Sequence, residues 1–325
     1  MENNANSPLI LSSSPHFHGD YFMERAMREV IVALLPAAAA GIWFFGLHAF
    51  LLILLSVAGA VAAEALCVRI MGRPMTKDGS AVITGLLLAL CLPPSVPLWI
   101  AFLGGVFAIV IGKQVFGGLG QNVFNPALIG RALLLASFPV YMTAWAPARG
   151  AVDAISSATP LALMKSGAFD QLPPLLHMVT GQIGGCLGET SVIALLLGAL
   201  VLLIRRHIDW RIPCVYLGTV LVLSLVNMLA RGYEPVYPLY QLCSGGLLLG
   251  AFFMATDWVT SPITRRGRLI YGLGLGLLTC LIRFFGGLSE GVCYSILIMN
   301  ILTPLIDRYS RGRIYGRRPK EGTAS

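Results

Sequence analysis

Polar and apolar positions along this 325-residue chain fall into long blocks rather than a fine alternation. An α-helix needs about 20 mostly apolar residues to cross a hydrocarbon core roughly 30 Å thick, and blocks of about that size recur throughout. The pattern predicts ten segments, at about 30–47, 49–69, 80–92, 97–114, 123–141, 187–204, 212–230, 239–257, 269–285 and 288–306. The third is too short to cross as a full helix, and it runs into Leu92-Pro93-Pro94. No short apolar core ending in a small-residue cleavage site stands in the polar first 29 residues, so the first segment is expected to stay in the protein.

Composition agrees with this pattern. The chain is 56% hydrophobic and 12% charged, with a mean hydropathy of +0.78, whereas soluble domains carry about 25% charged residues. The fold class expected is an all-α polytopic membrane protein of about ten transmembrane helices.

The net charge of +8 does not point to nucleic acid, because Lys and Arg cluster in short stretches between apolar runs. With a cytoplasmic N-terminus, 18 of the 23 cations fall at the inner ends, Lys113 among them. Arg149, Lys165, Arg231 and Arg283 fall outside or near the outer side, and Arg131 falls within a segment. Positive charge favours the cytoplasmic side, so both termini are expected there and the 142–186 loop in the periplasm. The chain then divides into a cytoplasmic segment 1–29, a membrane repeat 30–141, an exported loop 142–186, a second repeat 187–306 and a basic tail 307–325.

The word repeat rests on two similarities. Gly85-Leu-Leu-Leu-Ala-Leu is followed by Gly117-Gly-Leu-Gly, Asn122 and Asn125-Pro126. Gly246-Leu-Leu-Leu-Gly-Ala is followed by Gly286-Gly-Leu-Ser-Glu-Gly291. Matching elements lie five segments apart, and an odd offset inverts the second copy. Inverted repeats are a common transporter architecture, with sites where short or Gly/Pro-interrupted helices meet. The expected arrangement is therefore two inverted five-helix repeats, some helices broken or short.

Polar residues inside membrane segments are costly and usually face a bundle interior; here they are Glu64, Asn125, Arg131, Asn227, Asp257, Arg283 and Asn300. Asp257, flanked by Thr256, Thr260 and Ser261, is either an ion or flavin contact or an interfacial partner of Arg265 or Arg266. Arg131 reads equally as a structural partner for a helix-end carbonyl. Gly117-Gly118-Leu119-Gly120 has no preceding strand and no following Gly-Lys-Ser/Thr, and reads as a tight turn. Seven cysteines lie scattered without metal-ligand spacing, so no metal site is expected.

The longest polar excursion holds Asp153-Ala-Ile-Ser-Ser-Ala-Thr159-Pro160. Proline pushes the residue before it toward extended geometry, which presents the Thr159 hydroxyl beside the small Ser156, Ser157 and Ala158. From the residues alone this is either an ordinary Ser/Thr-Pro turn or a modification site within reach of another protein.

At this point the motifs add up. Asp78-Gly-Ser-Ala-Val-Ile-Thr-Gly-Leu-Leu-Leu-Ala-Leu, Gly117 to Arg131, Asp153 to Leu161, Phe253-Met-Ala-Thr-Asp-Trp-Val-Thr-Ser-Pro262 and Gly286 to Val292 stand in order along nearly the whole chain. Together they resemble the NqrB/RnfD family: RnfD of the Rnf electron-transport complex and, more distantly, NqrB of the sodium-pumping NADH:quinone oxidoreductase. The resemblance implies an electron-transfer subunit of a translocase in the bacterial inner membrane, coupled to Na+ or H+ movement and not catalytic for the whole reaction alone. It implies FMN joined through its phosphate to Thr159 by a flavin transferase, with Asp153, Ser156, Ser157 and Ala158 as the recognition motif. It further implies a non-covalent riboflavin; Asn122, Asn125, Thr256 and Asp257 are the candidates for flavin or ion contacts. Partners implied are the other Rnf subunits, the transferase and the bilayer. Two positions depart from the family pattern: Ser157 stands where Gly is usual, and Trp258 where Pro is common. The rival readings are an NqrB-like quinone reductase subunit, a urea-transporter-like channel and a scaffold subunit without flavin.

Overall fold

The computed structural model describes residues 20–72, 78–145 and 159–310, and among these every regular element is helical. The first five helices are α1 (Asp20–Phe45), α2 (Leu47–Ile70), α3 (Ser80–Leu90), α4 (Leu98–Ile109) and α5 (Pro126–Ser137). Short helices α6 (Pro139–Met142), α7 (Pro160–Ser166) and α8 (Leu175–Thr180) follow. The rest are α9 (Val192–Ile204), α10 (Arg211–Arg231), α11 (Tyr237–Cys243), α12 (Leu247–Leu249), α13 (Arg265–Phe285) and α14 (Val292–Ser310). The ends of α4 and α12 widen into single π-helical turns, Val110–Gln114 and Gly250–Met254.

Among the described residues, four helices are long and apolar enough to cross a membrane: α1 over Met23–Phe45, α2, α10 and α13. Ser80–Leu90, Leu98–Gln114, Pro126–Ser137 and Val192–Ile204 are shorter apolar helices. Each of the ten segments expected from the sequence overlaps helix, but length and composition alone carry only these four across. The eighth is interrupted: α11 ends at Cys243, and Gly245 adopts a φ of 69° before α12 begins. That left-handed backbone suits glycine, which lacks the Cβ that would clash.

Packing follows small residues. α2 lies on α3 and α4, and α4 on α5; α10 lies on α13, and α13 on α14. A Cβ placed on Gly105 of α4 would come within 2.3 Å of the Ser56 carbonyl oxygen on α2. On α13, one on Gly276 would meet the Thr219 side chain of α10 at 2.5 Å. Close backbone approach through small residues is how helices associate where lipid removes the hydrophobic drive. The two halves meet where α1 packs on α9, with Gly198 against the Ala33 carbonyl, and where α5 touches α14. Large apolar side chains such as Trp43, Ile204, Leu229 and Phe285 point outward, as a lipid-facing surface requires.

Two cations counted from the sequence at the ends of segments are buried. Lys113, 2% exposed, pairs with Glu64 of α2 and donates to Ser80 Oγ at 2.6 Å. Arg283, 4% exposed, donates to the carbonyls of Gln241 (2.7 Å) and Ser244 (3.1 Å) at the α11 break. A π turn holds an extra residue, and here it carries Lys113 into the bundle instead of the interface. Removing one cation from each side leaves the charge asymmetry in place.

Candidate functional site

Asn125 begins the site because it ends a loop and starts a helix. Pro126 occupies the first helical position of α5, where its missing N–H costs nothing. The Asn125 side chain caps the helix, accepting from Ala127 N (3.0 Å) and Leu128 N (3.4 Å). Its amide nitrogen donates to the Met254 carbonyl at 3.3 Å, at the end of the second π turn. Its backbone N–H donates to the Asn300 side-chain oxygen at 3.1 Å. One residue therefore ties α5 to α14 and to the end of the α12 turn.

Beside it opens a cavity of about 250 Å³. Apolar walls come from Val30 of α1, Ile83 and Leu87 of α3, and Phe252 and Phe253 of the π turn. Asn122, Thr84, Lys113 and His207 supply polar groups at its edges. The four residues singled out from sequence, Asn122, Asn125, Thr256 and Asp257, all line it, although more than 130 positions separate the first from the last. The turn that delivers Asn122 is built as expected, with Gly117, Gly118 and Gly120 at φ values of 117°, 104° and 85°.

Asp257 hydrogen-bonds within its own turn. Its Oδ2 accepts from Thr260 Oγ1 at 3.1 Å, and no ion pair to Arg265 or Arg266 forms among the described residues. The nearby basic side chain Arg268 pairs instead with Asp209. Burial pushes the Asp209 carboxyl up, but hydrogen bonds from Arg211 N (2.9 Å) and Arg268, with both cationic charges, outweigh it and hold Asp209 below the usual carboxylate range. Trp258, the departure from the family pattern, donates its indole N–H to the His207 carbonyl at 2.6 Å.

Sequence reasoning misses Lys113, Ser80, Thr84 and His207. Lys113 reads as a cation at the inner end of its segment, and nothing in a Leu/Gly-rich block marks a π turn. His207 faces Glu29 of α1 at 2.5 Å, a pairing between residues 178 positions apart that no local pattern could disclose.

Thr159 stands away from this cavity, at the N-terminus of α7. Its backbone is extended, with φ −68° and ψ 153°, as the following proline demands. The accessible hydroxyl expected from the sequence is not what the fold provides. Thr159 is only 7% exposed, and its Oγ1 caps α7 by accepting from Ala162 N at 3.3 Å. The cause is the apolar side of α7: Leu161 and Met164 pack with Tyr237 in a small cluster, drawing the start of the helix inward. Lys165 pins the helix from outside, donating to the carbonyls of Gly286 (2.5 Å) and Leu288 (2.7 Å). Asp153, Ser156, Ser157 and Ala158 lie outside the described residues.

Comparison with known proteins places this architecture. The family described as NQR2, RnfD, RnfE matches residues 10–316. The D subunit of the Na(+)-translocating ferredoxin:NAD(+) oxidoreductase complex of Acetobacterium woodii is 48% identical over 313 residues, covering 95% of this chain and 95% of its own. The D subunit of the proton-translocating ferredoxin:NAD(+) oxidoreductase complex of Clostridium ljungdahlii is 44% identical over 320 residues, covering 95% and 97%. The D subunit of the ion-translocating oxidoreductase complex of Stutzerimonas stutzeri is 45% identical over 337 residues, covering 92% and 93%. With a match along nearly its whole length, this chain belongs to the NQR2, RnfD, RnfE family.

Proposed function

We propose that this chain is the membrane electron-transfer subunit of an Rnf-type ferredoxin:NAD+ oxidoreductase, carrying FMN on Thr159 and a second, non-covalent flavin in the cavity. It sits in the bacterial inner membrane with both termini cytoplasmic and the Thr159 loop periplasmic. It works with the other Rnf subunits, and a flavin transferase matures it. The observation that carries the reading is the cavity that unites Asn122, Asn125, Thr256 and Asp257, in a chain so similar to members of ferredoxin:NAD+ oxidoreductase complexes.

The cavity suits an isoalloxazine. Apolar walls fit the faces of the ring system, while amide and hydroxyl groups can meet its polar edge. At about 250 Å³ the cavity is near the lower end of ligand pockets, so it favours a ring system over a whole nucleotide. The lysine among its described lining residues has two of its three N–H donors, and its charge, engaged by Glu64 and Ser80, which makes it a poor partner for a phosphate and favours riboflavin over FMN there. At Thr159, esterification removes the hydroxyl hydrogen, which the α7 cap does not use, since Oγ1 acts there as acceptor. The flavins would supply one- and two-electron transfer; the chain's residues bind them, orient them and keep water from the interior one.

The packing pattern supports two inverted five-helix repeats. The α2–α4–α5 stack corresponds to α10–α13–α14. Buried Lys113, at the end of α4, holds the start of α3, and buried Arg283 on α13 holds the break before α12. Because the relatives include both Na+ and proton translocators at similar identity, the coupling ion is either.

The test is to purify the chain after co-expression with the transferase, denature it, and look for flavin fluorescence migrating with the polypeptide. Wild type is expected to fluoresce, and Thr159→Val to lose that signal while keeping extractable riboflavin. Wild type without covalent fluorescence refutes the FMN reading, and fluorescence surviving Thr159→Val moves the attachment elsewhere. Absence of extractable flavin in both refutes the cavity's occupant. Ferredoxin-linked rather than quinone-linked activity of the copurified complex separates the Rnf from the NqrB-like reading.

A further inference from the structure

A second buried cluster lies outside the flavin cavity, at the junction of two short helices. α3 has 11 residues, about 16 Å of helix and half the hydrocarbon core, so its C-terminal end stops deep in the bundle. α12 begins nearby, and the 3-10 turn Leu187–Glu189 is wedged between the two. Leu187 N donates to the Leu92 carbonyl at 3.1 Å. A Cβ on Gly188 would lie 2.8 Å from Leu90 Cβ and 3.1 Å from Leu249 Cδ2.

Two carboxylates converge here. Glu290 is fully engaged: Oε1 accepts from Gly246 N at 2.7 Å, and Oε2 pairs with Arg131 of α5. Glu189, 5% exposed, is not. Its Oε2 accepts from Cys186 N at a long 3.4 Å, and its Oε1 is buried with no hydrogen-bond partner among the described residues. That bare oxygen points at Gly246, the glycine that holds Glu290; a Cβ there would lie 3.3 Å from Glu189 Oε1 and 2.6 Å from Glu290 Oε1.

Charge decides what Glu189 is. The groups facing it are Glu290, Arg131 and the thiols of Cys186 and Cys91. Arg131, the nearest cation, is spent on Glu290, and its other contact, to Cys186 Sγ, is 3.8 Å. Arg283 approaches from the far side of Gly245; its Nη donors go to Gln241 and to the Ser244 carbonyl, its Nε is buried without a partner among the described residues, and none of its hydrogen bonds reaches Glu189. An ionised carboxylate with a bare oxygen, buried next to a second carboxylate, is strongly disfavoured. A neutral carboxylic acid in the same position is tolerated.

We infer that Glu189 is an intramembrane proton-binding site, carrying its proton on Oε1 while Glu290 is the ionised partner of Arg131. Release breaks the O–H bond and passes H+ to a water acceptor; no electrons change hands. The link to ion translocation rests on the function proposed above, whereas the protonated carboxyl does not.

The measurement is infrared difference spectroscopy of the purified full chain in H2O and D2O, with Glu189→Gln and Glu290→Gln as comparisons. A protonated-carboxyl C=O band that shifts in D2O and disappears in Glu189→Gln is expected. Glu189→Gln, a neutral isostere, is expected to keep the wild-type melting temperature, and Glu290→Gln, which strands Arg131, to lower it. In the reconstituted complex Glu189→Gln is expected to reduce ion transport to the level of empty vesicles. An unchanged carboxyl band in Glu189→Gln overturns the assignment, as does destabilisation by that substitution equal to that of Glu290→Gln. A carboxylate band that responds to Na+ and not to D2O overturns it in favour of a sodium ligand. The band is readable whether or not flavin is present, so failure of the electron-carrier reading, seen as missing flavin, stays distinct from failure of this one.

Discussion

Removing the ammonium of Lys113 probes the buried contacts that position α3 beside the Asn125 cavity. Lys113 is 2% exposed and the Glu64 side chain 12%, so the pair lies almost wholly out of water. Breaking such a pair by deleting one partner costs about 3–5 kcal/mol, because an uncompensated charge is left behind. Glu64 retains a 3.5 Å contact from Gln114 Nε2, which places Lys113→Met at the lower end, about 3 kcal/mol. Replacing both partners with apolar residues leaves no stranded charge, so Lys113→Met with Glu64→Met is expected to fall within about 1 kcal/mol of wild type, a coupling of about 2 kcal/mol or more. Ser80 Oγ also loses its donor from Lys113, but it keeps Asp78 Oδ1 at 2.7 Å. The assay is reversible unfolding of the detergent-solubilised chain, with all four members of the double-mutant cycle run at one flavin loading. If the double variant is as unstable as Lys113→Met alone, the cost lies in lost packing and not in the stranded carboxylate, and the reasoning fails.

Other substitutions test the remaining contacts. Gly198→Ala would ordinarily gain about 0.5–1 kcal/mol of helix propensity; here its Cβ lies 2.0 Å from the Ala33 carbonyl oxygen, so a net loss above about 2 kcal/mol is expected, measured as a lowered unfolding midpoint. Asn125→Ala should lose about 1 kcal/mol with the α5 cap and should also release bound riboflavin faster, read by fluorescence after gel filtration. Asp209 has a lowered carboxyl pKa in the fold, so its contribution to stability is complete above the unfolded value of about 3.9 and fades as pH falls through the folded one. Asp209→Asn should therefore destabilise the chain at pH 7 and flatten its loss of stability as pH falls below about 4, followed by tryptophan fluorescence.

The helical class and its segment positions were legible because apolar blocks report burial in lipid directly. So were the interior polar residues: Asn125, Arg131, Arg283 and Asn300 all face partners across the bundle. What sequence could not show was how these residues pair. A helix-end carbonyl is the partner local reasoning offers Arg131, whereas its actual partner, Glu290, lies 159 positions away. Glu189 escapes notice because Gly-Glu-Thr-Ser at a segment start looks like an interfacial cap, and only the fold shows it driven between α3 and α12. Thr159 misleads in the opposite sense: proline correctly fixes its extended backbone, but burial depends on α7 docking to Tyr237, a contact beyond any local pattern.

The Arg131–Glu290 pair also constrains how the chain is made. Lys113 finds Glu64 already synthesised when it emerges. Arg131 must wait for a residue 159 positions later, which at about 5–20 residues per second is roughly 8–30 s. During that interval α5 carries a guanidinium without its counter-charge, at an insertion cost of about 2.5–3.5 kcal/mol for a helix centre. A helix only 12 residues long has little apolar length to offset that. The first half is therefore expected to stay at the insertion machinery or the membrane interface until Glu290 arrives, and in nascent chains arrested before residue 290 a cysteine introduced into α5, as Ala132→Cys, should be open to water-soluble thiol reagents.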